Sequence, residues 1–269
     1  MDADMDVDME RIALAINALG DFLGMRDIAE LTPECMTKHC GCDCADVMVL
    51  FGGSILAGGD VLAQAMRAGV ARRYAIVGGE GHTTPELRRR VADMFGDVDT
   101  RGMPEAQVFA AYMKRRHGLD IDLMECASTN CGNNISNMLA MLEAQGVPHD
   151  SVILTQDASM QRRMDAGLRL RAPGTRIINF AAYRARVAVR GGRLEYESVI
   201  RGMWPIERYV SLLISEIPRL TDDEQGYGPR GRGFIAHVDV PGEVRAAFEL
   251  LRDADIASLR AEDARYAGN

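Results

Sequence analysis

The chain predicts an α/β fold: a Rossmann-like parallel sheet of about five strands with helices on both faces, an N-terminal helix and a C-terminal helical extension. Short apolar runs carry that expectation: DVMVLFGG (Asp46–Gly53), YAIVGG (Tyr74–Gly79), IDLMECA (Ile121–Ala127), SVILTQD (Ser151–Asp157) and TRIINF (Thr175–Phe180). They alternate with segments of helical periodicity. Strand and helix in regular succession imply right-handed crossovers, hence a parallel sheet buried on both faces.

The first helix is expected from about Val7 to Leu23, where Ile12, Ile16, Leu19 and Leu23 form one stripe. Then comes CMTKHCGCDC, with Cys35, Cys40, Cys42 and Cys44 around His39. Zinc ligands are usually paired two to four residues apart, whereas this spacing is mostly Cys-x-Cys. We therefore expect free thiols in a connecting loop and no metal. Helices follow near Gly59–Ala68 and Pro85–Phe95, and from Pro104, where Val108, Phe109, Tyr112 and Met113 share a face. Ile135, Met138, Leu139 and Leu142 mark the next, and Met160, Met164 and Leu168 another. Past Tyr183, ARVAVRGGRLEYESV reads as a hairpin or an irregular excursion. A helix begins at Trp204–Pro205, DDEQGYGPRGRG is a loop, and PGEVRAAFELL is a last helix. The expectation is a single domain over 1–269, with a core at about 46–183 and an extension at 184–269 packed on it.

With 269 residues and 47% apolar composition, the chain can bury a full core. A net charge of -8 argues against a protein that neutralises nucleic-acid phosphates. No stretch approaches the roughly 18 to 20 apolar residues of a membrane span. The acidic start and the six clustered cysteines fit a cytoplasmic protein with reduced thiols. The sequence is silent on oligomeric state.

In a parallel sheet, ligands bind beyond the carboxyl ends of the strands. The polar oddities of this chain lie at such ends: Gly52, Gly53 and Ser54; Gly78, Gly79, Glu80, Gly81 and His82; Ser128, Thr129 and Asn130; Gln156 and Asp157. Glycines there either let the backbone approach a ligand and adopt positive φ, or simply make tight turns. Neither pair completes a dinucleotide fingerprint, and no Walker A motif is present. Asn133 or Asn134 can cap the helix carrying Ile135, and Ser159 can cap the next. Arg162 and Arg163, near a helix start where the dipole prefers acids, call for an anion or an acidic partner side chain. Glu105 just inside a helix is favourable for dipole reasons alone. Cys126 and Cys131 have no histidine nearby in sequence and read as buried thiols. Arg230 and Arg232 sit in a Gly-rich loop that can serve as a lid or simply lie exposed.

Taken together, GG after the first strand, GGxGH after the second, G-x-x-E-A at Gly102–Ala106, E-x-x-STNCG-x-N at Glu125–Asn134 and QD-x-x-MQRR at Gln156–Arg163 resemble the YdcF-like family, whose relatives include SanA and ElyC. WP-x-ERY-x-SLL, PRL-x-DD and GYGPRGR-x-FI-x-HVD, from Trp204 to Asp239, extend the resemblance. It implies a Rossmann-like domain that binds S-adenosyl-L-methionine, in a family with no settled reaction. The chain departs from the pattern in its Cys-rich segment and at Cys126, where an acid is expected.

The residues expected to bind the ligand are Gly52, Gly53, Ser54, Gly78, Gly79, Glu80, His82, Glu105, Glu125, Ser128, Thr129, Asn130, Asn134, Gln156, Asp157, Arg162, Arg163 and Arg230. Glu105 and Asp157 are the candidate acids or bases. The ligand carboxylate is expected at the Asn133 helix or at Arg162 and Arg163, and ribose hydroxyls at Glu80, Glu105 or Glu125. The alternatives are a phosphoryl or glycosyl transferase or hydrolase acting on an anionic, envelope-related substrate, and a non-catalytic ligand sensor.

Overall fold

The computed structural model describes residues 2–53 and 55–254, with side chains from residue 8 onward. Helix α1 (Asp2–Leu23) starts earlier than its apolar stripe required. The Cys-rich segment is not the expected loop throughout: its first part forms α2 (Pro33–Cys40). A capping device explains this. Thr32 accepts a hydrogen bond from the Cys35 amide at 3.2 Å, Pro33 occupies the first turn, and Gly41 at φ 70° closes the other end. Cys35, Cys40 and Cys42 pack against the core as free thiols. Among the described residues, no three His, Cys, Asp or Glu side chains are grouped to hold a metal.

The α/β body follows as β1 (Ala45–Phe51), α3 (Ala57–Ala68), β2 (Ala71–Val77), α4 (Thr84–Met94), α5 (Glu105–His117), β3 (Leu123–Glu125), α6 (Cys131–Ala144), β4 (Ser151–Thr155), α7 (Gln161–Arg171) and β5 (Arg176–Asn179). All five strands pair in parallel, in the order β3-β2-β1-β4-β5. Strand alternation divides the core between the two faces. Met48, Leu50, Ile76 and Ile153 meet α3, α4 and α5; Val47, Val49, Phe51, Val152 and Leu154 meet α6 and α7. Because α6 carries the chain from β3 back across the sheet to β4, the winding reverses between β1 and β4. Loops leaving those two strands part to opposite faces, and the crevice between them is the topological switch point.

Beyond β5, the strands β6 (Val187–Arg190) and β7 (Arg193–Tyr196) form an antiparallel hairpin. Its turn residues Gly191 and Gly192 have φ of 57° and 74°, the left-handed pair that a two-residue hairpin turn requires. Helices α8 (Ile206–Leu220) and α9 (Gly242–Asp253) pack with α1 and the hairpin around Ile16, Leu19, Tyr209, Leu213 and Val244. No helix among the described residues is long and apolar enough to cross a membrane.

One buried ion pair joins this extension to the α/β body. Arg163 of α7 donates to Glu216 of α8 through Nε at 2.6 Å and Nη2 at 3.0 Å, with side-chain exposures of 15% and 5%. Removing one partner leaves the other charge uncompensated in a dry site. Glu216→Ala is therefore expected to cost roughly 3–5 kcal/mol of unfolding free energy, and the double variant Arg163→Met/Glu216→Leu far less. Urea denaturation followed by circular dichroism measures both.

Candidate functional site at the strand ends

Strands β1 and β2 end directly before their glycine pairs, and the ladder runs one residue further. The Gly52 amide donates to Val77 O at 2.6 Å and the Gly78 amide to Glu125 O at 2.9 Å. Gly52 and Gly78 lie side by side. A Cβ on Gly52 would collide with Glu105 Oε2, and one on Gly78 would stand 3.0 Å from Gly52 Cα and 3.1 Å from Glu105 Cβ. Gly53 faces the other side of the sheet, where a Cβ would lie 2.8 Å from Asp157 Oδ2. At Gly79 a Cβ would collide with the Ser128 carbonyl oxygen. None of the four has a positive φ. Close approach, not backbone handedness, is what requires glycine here. Ser54 lies outside the described residues.

Helix α5 docks head-on against this seam. The Glu105 amide donates to Gly79 O at 2.8 Å and the Ala106 amide to Gly78 O at 2.9 Å, so these N–H groups are used within the protein. Glu105 is 8% exposed. Its Oε1 accepts from Thr84 Oγ1 at 2.8 Å, and Thr84 Oγ1 in turn accepts from the Gly81 amide at 2.7 Å. Burial pushes the Glu105 carboxyl from its ordinary 4.5 up to about 7; Glu80 adds to the rise, while the Thr84 hydrogen bond and Arg88 oppose it. Glu80 is exposed and paired with Arg88 at 2.9 Å, and His82 is exposed on the same loop.

The polar run after β3 proves largely self-satisfying. Glu125 Oε1 accepts from the Ala127 amide at 2.6 Å, the Ser128 amide at 3.0 Å and Asn137 Nδ2 at 3.1 Å, which bends the chain away from the sheet. Glu125 thus braces a turn and does not offer that oxygen to a ribose. Buried Ser128 accepts from the Gly79 amide at 3.2 Å. The cap of α6 is Asn130, which accepts from the Asn133 amide at 3.0 Å, not the expected Asn133 or Asn134. Thr129 donates to Asn133 Oδ1 at 3.2 Å, and Asn134 is buried on α6.

After β4, Gln156 is fully buried and ties the two strands at the switch point: Nε2 donates to Gly52 O at 3.2 Å, and Oε1 accepts from the Asp157 amide at 2.7 Å. Gln161 extends the network, accepting from the Gln156 amide at 2.8 Å and donating to Asn179 Oδ1 at 3.0 Å. Asp157 stands against Gly53 with the buried Tyr183 phenol close by. Ser159 is buried and does not cap α7, whose N-cap position is Met160.

Of the two expectations for the arginines, an anion or an acidic partner side chain, the structure has the second at Arg163. Arg163 is held by Glu216, the acidic partner that the sequence reading allowed for. Arg162 lies over the Phe22 ring at 4.0 Å and donates to Phe22 O. Arg230 pairs with Asp222 at 3.5 Å, and its amide donates to the same carboxylate at 2.7 Å. Asp222 also contacts His237 Nδ1 at 2.7 Å, so the Gly-rich loop is wrapped around a buried carboxylate. Gly233 of that loop lines a groove of about 480 Å³ with Leu170 and Arg171, at the far end of α7. A second groove, of about 580 Å³, runs between α4 and residues 200–203.

The structure thus brings Gly52, Gly53, Gly78, Gly79, Glu105, Ser128, Gln156 and Asp157 to one seam and gives Asn130, Arg162 and Arg163 partners within the protein; Glu125 is bound through one oxygen while Oε2 is buried without a partner, and the Arg230 side chain stays exposed beside Asp222. Sequence reasoning missed Thr84, Gln161, Tyr183 and Glu216. Of these only Thr84 carried a signal, as part of the Thr-Pro-Glu helix start. No family model matches the chain.

Two consequences are measurable. Gly79→Ala is expected to cost at least about 2 kcal/mol in urea denaturation, because backbone rather than a flexible side chain must move. A carboxyl with a raised folded pKa binds more protons in the native state, so its contribution to stability falls as pH rises from about 4.5 to 7. Relative to Glu105→Gln, the natural protein is expected to lose roughly 3 kcal/mol across that window, read from denaturant midpoints at each pH.

Proposed function

We propose that this chain is a YdcF-like protein that binds a small nucleoside-like ligand, S-adenosyl-L-methionine foremost, across the strand ends at the switch point. The observation that carries this reading is the pair of carboxyl groups flanking the Gly52–Gly53 peptide: Glu105 packs on Gly52 from one side of the sheet, and Asp157 packs on Gly53 from the other. Acidic groups beside close-packed glycine backbone at the strand ends suit ribose hydroxyls and a sulfonium charge. The same lining disfavours phosphate, and Arg162 and Arg163, on which the phosphoryl reading relied, are engaged elsewhere. Transfer to an acceptor would draw on Glu105 or Asp157 as the proton-handling group. A sensor would return the ligand unchanged.

Isothermal titration is expected to show saturable binding of S-adenosylmethionine and of its demethylated product. Asp157→Asn should weaken the methyl donor by roughly 10- to 100-fold, the range of a hydrogen bond to a charged group. No heat with either compound, together with thermal protection by nucleotide sugars or sugar phosphates, would overturn the reading in favour of phosphoryl or glycosyl chemistry.

A further inference from the structure

Thr84 is completely buried, yet its hydroxyl has only one hydrogen to give. The Gly81 N–H points at the Thr84 oxygen, so the hydroxyl hydrogen is directed to Glu105 Oε1. That oxygen is an acceptor whether the carboxyl is protonated or not. Any proton Glu105 carries therefore sits on Oε2, the oxygen lying against Gly52 and Gly78. The charged groups acting on it are Arg88 of α4, itself shared with Glu80 and Met103 O, and Glu80 on the loop after β2.

Building on the ligand reading above, we propose that Thr84 is the positioning residue of this seam: it anchors the Glu105 carboxyl by one oxygen so that the other exchanges its proton for the positive charge of a bound organic cation. The balance is simple. The proton on Oε2 passes to bulk water, the ligand's cationic centre takes its place, and the net charge of the seam is unchanged. Desolvation keeps the proton on an unaccompanied carboxyl there, and the attraction of a bound cation, strong in the same dry site, offsets that cost and releases it. A neutral ligand leaves the proton in place.

Carbon-13 NMR of glutamate-labelled protein tests this directly, with the Glu105 signal assigned by its loss in Glu105→Gln. Thr84→Val is expected to raise the Glu105 midpoint by about one pH unit, because a hydrogen bond to the charged form is lost, and Thr84→Ser to restore it. If Thr84→Val fails to fold, Thr84→Ala deletes the same hydroxyl. An unchanged midpoint in the hydroxyl-less variant overturns the positioning role. Saturating trimethylsulfonium should lower the midpoint in the natural protein, and no movement overturns the exchange.

Calorimetry at pH 7 in two buffers of different ionisation enthalpy should show net proton release on binding S-adenosylmethionine. The demethylated product, uncharged at sulfur, should release less, and Glu105→Gln should release none with either. Heat without proton release overturns the exchange and leaves the binding reading standing. No heat with the methyl donor overturns the binding reading, and the trimethylsulfonium titration then decides the exchange alone.

Discussion

Helix α5 and the loop after β3 can close on the sheet only because residues 52, 78 and 79 carry no Cβ. Packing at this seam is backbone against backbone, with Gly52 and Gly78 in mutual contact and the Ser128 carbonyl against Gly79. Backbone cannot step aside as a flexible side chain does, so the constraint propagates outward. It fixes where α5 begins, which places Glu105 in the seam, which in turn buries a carboxyl that water would otherwise solvate.

The electrostatic character of the crevice follows from what is withdrawn as much as from what remains. Arg163 is drawn to Glu216 and Arg162 lies over Phe22, so two cations act as internal fasteners, while the Arg230 side chain stays largely exposed beside Asp222. Carboxyl groups are left beside the glycine turns. The chain of amides Gln156, Gln161 and Asn179 holds the ends of β1, β4 and β5 in fixed relation through donors and acceptors that are mutually satisfied.

Much of the fold was legible because it rests on local periodicity. Five apolar runs became five parallel strands, and of the two readings left open around Gly191–Gly192 the structure has the hairpin. The failures have specific physical causes. Helix α2 is not legible from periodicity because its eight residues bury only Met36; its Thr-Pro-Glu start is the one local signal. The cap of α6 was placed a turn late because several adjacent asparagines are equally good caps by type, and only the backbone at Asn130, extended at φ -158°, selects one. The site was legible as a set of strand ends, yet the division of labour within it was not. Asn130, Arg162, Arg163 and one oxygen of Glu125 have the chemistry of ligand contacts and use it on the protein itself.

By itself the sequence determined the strands, the amphipathic helices, the parallel winding and hence the edge of the sheet where loops gather, because hydrophobic period and glycine placement act within a few residues. Only the tertiary structure decided which polar groups at that edge are spent. A hydrogen-bond or ion-pair partner such as Glu216 for Arg163 lies 53 residues away, and nothing in either local stretch encodes the meeting. The same holds for Glu105, whose burial between glycines of two different strands sets its proton affinity: desolvation is a property of the assembled surroundings and has no counterpart in the order of residues along the chain.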